Sequence, residues 1–249
     1  THTDGPEGIN KNGHGEVFDV DSQMRLSATF EAHLSGDPRL SVLFAPGSSN
    51  TVIVGMPNGS TSDTYVGTDG VTVPGVTDRH VYAQTHPALR GKDVPMVFQT
   101  YAEVEFLKAE AAIRGWISSS AEEHYNKGVT AAMKMLKQLY PASTAITDAE
   151  ISAYLAGPGA YDASKGWEMA MNEYWKATFL NEYEAYANWR RTGYPTLTPT
   201  KHPNSVSNNQ IFRRMIYPGG ESATNGDNYA AAVARQGADD FTTRMWWDK

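Results

Sequence analysis

Two pairs of carboxylates, Glu103/Glu105 and Glu182/Glu184, are the residues whose spacing first invites chemistry. Two carboxylates facing one cleft are the machinery of glycoside hydrolysis. Both pairs fall in helical sequence, however, where residues i and i+2 point about 200° apart, so neither pair shares a cleft. Carboxylates from different helices are free to meet. Singly, each of the four reads as a solvated or ion-paired helix residue. The seven histidines (His2, His14, His33, His80, His86, His124 and His202) form neither a His-x-x-x-His nor a His-Glu-x-x-His pattern. No metal site is expected from them, and most read as exposed loop residues. Ser48, Ser49 and Ser60 lie in turn-rich sequence without a Gly-x-Ser-x-Gly elbow, and no phosphate-binding or dinucleotide fingerprint occurs. Asp63 and Asp69 lack the regular ligand series of a calcium loop. The expectation is therefore no catalytic residue and no cofactor.

Binding chemistry is what remains. A polyhydroxylated ligand is held by aromatic faces and by planar amide, carboxylate or guanidinium groups on loops carried by a rigid scaffold. Asn58, Asp63, Tyr65, Arg79, His80 and Tyr82 offer those groups within residues 58–90. The doublets Arg190-Arg191 and Arg213-Arg214 read as braces that pair with carboxylates or stack on rings, and they suit a helix C-terminus.

The elements that would position these groups are mainly helical. Residues 22–35 read as a helix capped by Ser22 and stopped by Gly36. Fourteen of the 60 residues 36–95 are Gly or Pro, so residues 36–98 read as a loop-rich segment. Within it, Leu40–Phe44, Thr51–Val54 and Val71–Val73 are short extended runs. From about Gln99, Ala102, Phe106, Ala109, Ile113 and Trp116 repeat at helical spacing, with Val104, Leu107 and Ala111 on a second face. Glu110 and Arg114 are expected to form a modest surface pair. A second helix starts at Ser118-Ser-Ser120 with Ser119/Glu122 or Ser120/Glu123 as a capping box, and runs to about Tyr140 before Pro141. These two helices resemble one tetratricopeptide hairpin, in which Ala109, Ala121, Tyr125 and Gly128 mark the close approach.

Thr147 and Glu150 form another capping box. One long helix is expected over Trp167–Arg191, stopped by Gly193 and Pro195 and carrying seven aromatic residues, so most of its surface must be covered. Residues 192–224 hold four prolines and read as an extended arm. A last helix capped by Asn225 ends near Gly237, and Trp246-Trp247 are packing anchors for the tail. The whole of 1–249 reads as one mainly α unit, with helix 22–35, loop segment 36–98, helical body 99–191, and arm with terminal helix 192–249.

Composition narrows the class. At 40% apolar and 20% charged residues the chain has an ordinary globular composition. A net charge of −7 argues against nucleic acid as a partner, because neutralising phosphates needs a basic surface. With no cysteine there are no disulfides, thiolate metal sites or thiol nucleophiles. Thr1–Gly8 has no charged start followed by an apolar run, so no signal peptide is expected in this chain.

Glu184-Ala-Tyr-Ala-Asn-Trp-Arg-Arg-Thr-Gly-Tyr-Pro195 resembles the signature of the SusD/RagB family of bacterial outer-membrane nutrient-binding lipoproteins. Asp37-Pro-Arg-Leu40, Tyr101–Trp116, Phe212–Pro218 with Glu221 and Asn225, and Arg244-Met-Trp-Trp-Asp248 agree with that family in order and spacing. The resemblance spans nearly the whole chain but covers only the C-terminal half of such proteins. It implies a SusD-like helical body with tetratricopeptide-like pairs, long irregular loops and short strands. It further implies a partner N-terminal half and a lipid anchor outside this chain. By the same resemblance the protein binds an oligosaccharide or other nutrient at the cell surface, without catalysis, and passes it to a SusC-like TonB-dependent transporter. The alternative is a protein-interaction scaffold, a transporter lid without its own glycan site.

Overall fold

A computed structural model of the chain describes residues 10–20 and 23–248. In chain order the elements are α1 (Gly13–Val20), α2 (Ala28–His33), α3 (Arg39–Leu43), β1 (Phe44–Ala45), β2 (Tyr65–Val66), β3 (Thr72–Val73) and β4 (Gln84–Thr85). There follow α4 (Tyr101–Ile113), α5 (Ala121–Leu139), α6 (Asp148–Leu155), α7 (Gly166–Ala177), α8 (Glu182–Thr192), α9 (Glu221–Thr224) and α10 (Gly226–Gln236). The fold is mainly α. Its strands form two antiparallel pairs of two residues each, β1 with β4 and β2 with β3. No helix among the described residues is long and apolar enough to cross a membrane.

The core lies where α4, α5 and α7 meet. Thr100 and Glu103 close a reciprocal capping box at the start of α4, and Thr147 and Glu150 do so for α6. Ser120 caps α5, but its hydroxyl works alone, because the Glu123 carboxylate turns outward to Lys127 at 2.6 Å. Phe106 of α4 is fully buried against Tyr125 and Tyr174, with ring centres at 6.4 and 6.5 Å. Gly128 faces that ring so closely that a Cβ there would stand 2.6 Å from it. The absence of a side chain at Gly128 is what lets α4 and α5 approach.

Several expected elements form differently. The helix expected from Ser22 begins at Ala28, capped by the Ser27 hydroxyl; Ser22 itself lies outside the described residues. Residues 26–28 spend their backbone groups elsewhere: Leu26 donates to Ala83, Met56 donates to Leu26 and Ala28 donates to Met56. Leu40–Phe44 is extended only at its last residue. Pro38 sets a helical φ of −64° and the Asp37 carboxylate accepts the Arg39 N–H, which starts α3 instead. Thr51–Val54 forms no strand, although the Val54 carbonyl accepts from Ala83.

The long aromatic helix is two. The Thr178 hydroxyl turns back onto the carbonyls of Tyr174 and Trp175, and Leu180 takes φ 66°, so the chain breaks over 178–181 before α8 starts. The aromatic stripe is cut there. Phe30 stacks on Phe179 and meets Trp175 edge-on, whereas Tyr183 on α8 is 88% exposed. Trp246 is likewise no anchor at 89% exposed, while Trp247 covers Arg190.

One buried ion network joins α3, α6 and α7. Arg39 donates to Asp37 (2.5 Å) and to Glu173 (2.6 Å). Lys176 donates to Glu173 (2.7 Å) and to the Tyr154 hydroxyl (2.9 Å), and Tyr154 donates to Glu173 (2.6 Å). Two carboxylates and two cations therefore balance out of water, as burial of charge demands. Burial opposes ionisation of Glu173, but Arg39 and Lys176 outweigh it and hold its carboxyl at about 2. Glu105 sits at about 2 as well, with hydrogen bonds from His124 and Lys108 overcoming its burial. Both folded values lie below the ordinary 4.5, so the stability these groups contribute is present above pH 4.5. It is lost as the pH falls from there towards 2. Thermal melts across that window should show a steep fall in midpoint, and a flat profile would contradict the assignment.

Candidate functional site

Of the four paired carboxylates, Glu103 and Glu105 are buried, Glu184 is half-buried and Glu182 is exposed. Glu105 is 1% exposed and pairs with His124 (2.6 Å) and Lys108 (2.9 Å), so it is no solvated surface residue. Glu103 is also buried and binds the Thr100 backbone N–H and hydroxyl. Glu110 and Arg114 form more than a surface pair: Glu110 is buried and also takes Arg191 in two bonds of 2.6 and 2.7 Å. Glu182 binds His14 at 3.2 Å. Glu103 and Glu184, from different helices, do come near each other beside Tyr174, whose hydroxyl donates to Glu184 at 2.6 Å. Burial pushes the Glu103 carboxyl up, and the Glu184 charge adds to that. The cavity beside Glu103 measures only about 20 Å³, room for one water and not for a sugar ring.

The arginine doublets act as braces. Arg190 lies over the rings of Tyr186 (4.2 Å) and Trp247 (4.5 Å). Arg213 lies over Trp189 (4.2 Å) and binds Asp248 (2.8 Å), and Arg214 binds Asp239 (3.1 Å). The arm after α8 is thereby fastened to the helix and to the chain's last described residues.

The six loop residues fall into two trios. Asn58, Asp63 and Tyr65 belong to the loop carrying the β2–β3 hairpin. Asn58 donates to the Thr29 hydroxyl of α2 (2.8 Å), and the Tyr65 hydroxyl donates to the Gly59 carbonyl (3.0 Å). The Tyr65 ring meets His202 edge-on at 4.8 Å, which rests the hairpin on the arm. Gly59 takes φ 78° and presses against Thr200, so a side chain is excluded there twice over. Asp63 is exposed, its carbonyl accepting from the Thr61 hydroxyl. Arg79 and His80 occupy a short 3-10 turn, Arg79–Val81, which Asp78 caps through the His80 N–H (2.8 Å); Tyr82 follows it. Arg79 donates to Gln23 (2.5 Å), and its carbonyl accepts from Arg25 (2.9 Å). Among the described residues no hydrogen bond or ring contact links the two trios.

A larger concavity lies elsewhere. A groove of about 1010 Å³ runs between residues 96–102 and the outer face of α5. Met96, Phe98, Tyr101, Ala131, Met135 and Leu139 give it an apolar floor, with Gln99, Asn126 and Gln138 as planar amides. Phe98 is 81% exposed and Tyr101 61%. None of the six loop residues lines this groove. Sequence reasoning missed it because Tyr101 counted only as the first residue of a segment resembling the family. The available signal was the apolar run Met96-Val-Phe98 just outside the Thr100 cap, which a helix start does not require.

The braced helical scaffold thus presents irregular loops and an open groove. A family model, SusD-like_2, described as starch-binding associating with outer membrane, matches residues 10–218. The chain belongs to this SusD-like family. It is similar in structure to a chitin-binding protein, at 32% identity and a TM-score of 0.81, over 96% of this chain and 53% of that one. A Bacteroidetes AC2a SusD-like structure aligns over 99% of this chain and 59% of its own length, at 26% identity and a TM-score of 0.82. A SusD homologue from Bacteroides fragilis aligns over 90% and 52%, at 25% identity and a TM-score of 0.68. The chain thus spans little more than half the length of these relatives. No match is found among curated proteins.

Proposed function

We propose that the chain binds an oligosaccharide or another nutrient at the bacterial outer-membrane surface, without bond-making, for delivery to a SusC-like TonB-dependent transporter. The observation that carries this reading is the family match over residues 10–218, alongside 32% identity to a chitin-binding protein across 96% of the chain. Non-catalytic binding is supported by Glu103, Glu105 and Glu110 on α4, taken up in a cap and in ion pairs, and by Glu182 and Glu184 on α8, which bind His14 and the Tyr174 hydroxyl. The loop side chains Asn58, Asp63, Tyr65, Arg79, His80 and Tyr82 are the proposed contacts, as two separate patches.

Replacing Tyr65 and Tyr82 together by alanine should weaken retention by an immobilised glycan roughly tenfold, since a lost aromatic contact amounts to about 0.5–1.5 kcal/mol. Unchanged retention would remove these loops from the site. One observation favours a second reading, that of a protein-interaction scaffold. The 1010 Å³ groove has a mainly apolar floor and is lined by none of the six loop residues, which suits a protein surface better than a sugar. On that reading the unaltered chain and the double variant alike retain no glycan.

A further inference from the structure

Trp116 stands at the corner between α4 and α5. Gly115 takes φ 71°, which turns the chain so that the Trp116 N–H donates to the Ala111 carbonyl at 2.8 Å. The Arg114 guanidinium lies between two indoles, 5.0 Å from the ring centre of Trp116 and 4.4 Å from that of Trp167. Arg114 is itself held by Glu110 (2.9 Å), and Glu110 by Arg191 of α8. Beyond Trp116, Ser119 pairs with His124 (2.8 Å), which pairs with the buried Glu105. The corner is therefore tied on both sides to charged groups in the helical body.

All this support ends in an exposed ring. Trp116 is 69% exposed, so Arg114 covers one face of the indole and the other meets water. An indole serving only to fill space would be covered, because its apolar area is the stabilising part. A ring resting on a held guanidinium loses less freedom than an unsupported one when a ligand stacks on it. Pyranose rings with equatorial substituents present a flat face of C–H groups of matching size, and the edge of the Arg114 guanidinium, partly exposed, can meet ring hydroxyls.

We infer that Trp116 is a stacking platform for a neutral pyranose unit, a carbohydrate contact on the α4–α5 corner distinct from the 58–82 loops. The inference rests on the glycan-binding reading above. Because the ring is exposed, Trp116→Ala should leave the melting midpoint unchanged. The test titrates the protein and this variant with two probes, a hexamer of β-1,4-linked N-acetylglucosamine and a hexamer of α-1,4-linked glucose. The affinity for the hexamer that the unaltered protein binds should fall about tenfold. In 5-fluorotryptophan-labelled protein, the resonance missing from Trp116→Phe should shift on titration with that hexamer.

Binding by the unaltered protein with neither loss in the variant nor a shift of that resonance overturns this inference alone. Binding by neither protein to either hexamer overturns it, and with it chitin-like and starch-like glycans as the ligand in the reading on which it rests. A large drop in midpoint with affinity retained would make Trp116 a packing residue and overturn the platform.

Discussion

Glu173→Ala should cost about 3–5 kcal/mol of folding stability, the usual result of removing one partner from a buried ion network. Glu173 takes charge-assisted bonds from Arg39 and Lys176 and one from the Tyr154 hydroxyl. Its loss leaves two buried cations facing Asp37 alone, with Asp37 bonded mainly to Arg39 and 3.4 Å from Lys176. The Tyr154 hydroxyl loses its acceptor in the same step. Lys176→Ala should be milder, because Arg39 still donates to both Asp37 and Glu173. Urea unfolding of both variants measures the difference, and a Glu173→Ala loss below about 1 kcal/mol would show that water reaches the network.

Phe106→Ala should cost a similar amount, about 3–5 kcal/mol, as a fully buried ring is removed from between α4, α5 and α7. The more informative experiment adds Gly128→Ala. In the native chain a Cβ at 128 meets the Phe106 ring at 2.6, 2.8 and 2.9 Å. Phe106 is buried beside Tyr125 and Tyr174 and cannot swing away, so Gly128→Ala alone should cost about 1–3 kcal/mol by overpacking. With Phe106 already reduced to alanine, the clash is gone and only the gain in helix propensity is left, about 1 kcal/mol in favour of alanine. The same substitution should thus change sign with its background. Additive effects would mean that the two helices move apart at no cost, contrary to the close approach at Gly128.

How legible this was varied with the range of the interaction. Ser120, Thr147 and Gly193 announced helix ends because a cap is decided within a few residues, whereas the Thr100 cap of α4 went unread. Gly128 as a point of close approach between the paired helices was legible for the same reason, but the Phe106 ring it faces was not. The break at Leu180 was not legible: Trp175, Phe179 and Tyr183 keep helical spacing straight across it, and the break depends on where the Thr178 hydroxyl turns. The start of α2 was hidden because strangers in sequence, Met56 and Ala83, claim the backbone of Leu26 and Ala28. Glu105 and Glu110 looked like surface charges because their partners His124 and Arg191 are 19 and 81 residues away. Of the loops proposed as contacts, composition marked a turn-rich region, but the side chains divide between supports that no local pattern encodes: Thr29 and His202 for one trio, Gln23 and Arg25 for the other.

The central claim is capture of a glycan without chemistry. Native gel electrophoresis of the protein through gels containing soluble polysaccharides, among them starch and glycol chitin, tests it most directly, with the gel checked for released sugars. The account predicts retarded migration in at least one gel and no released sugar in any. Released sugar in the protein's lane would contradict it, as would unretarded migration in every gel.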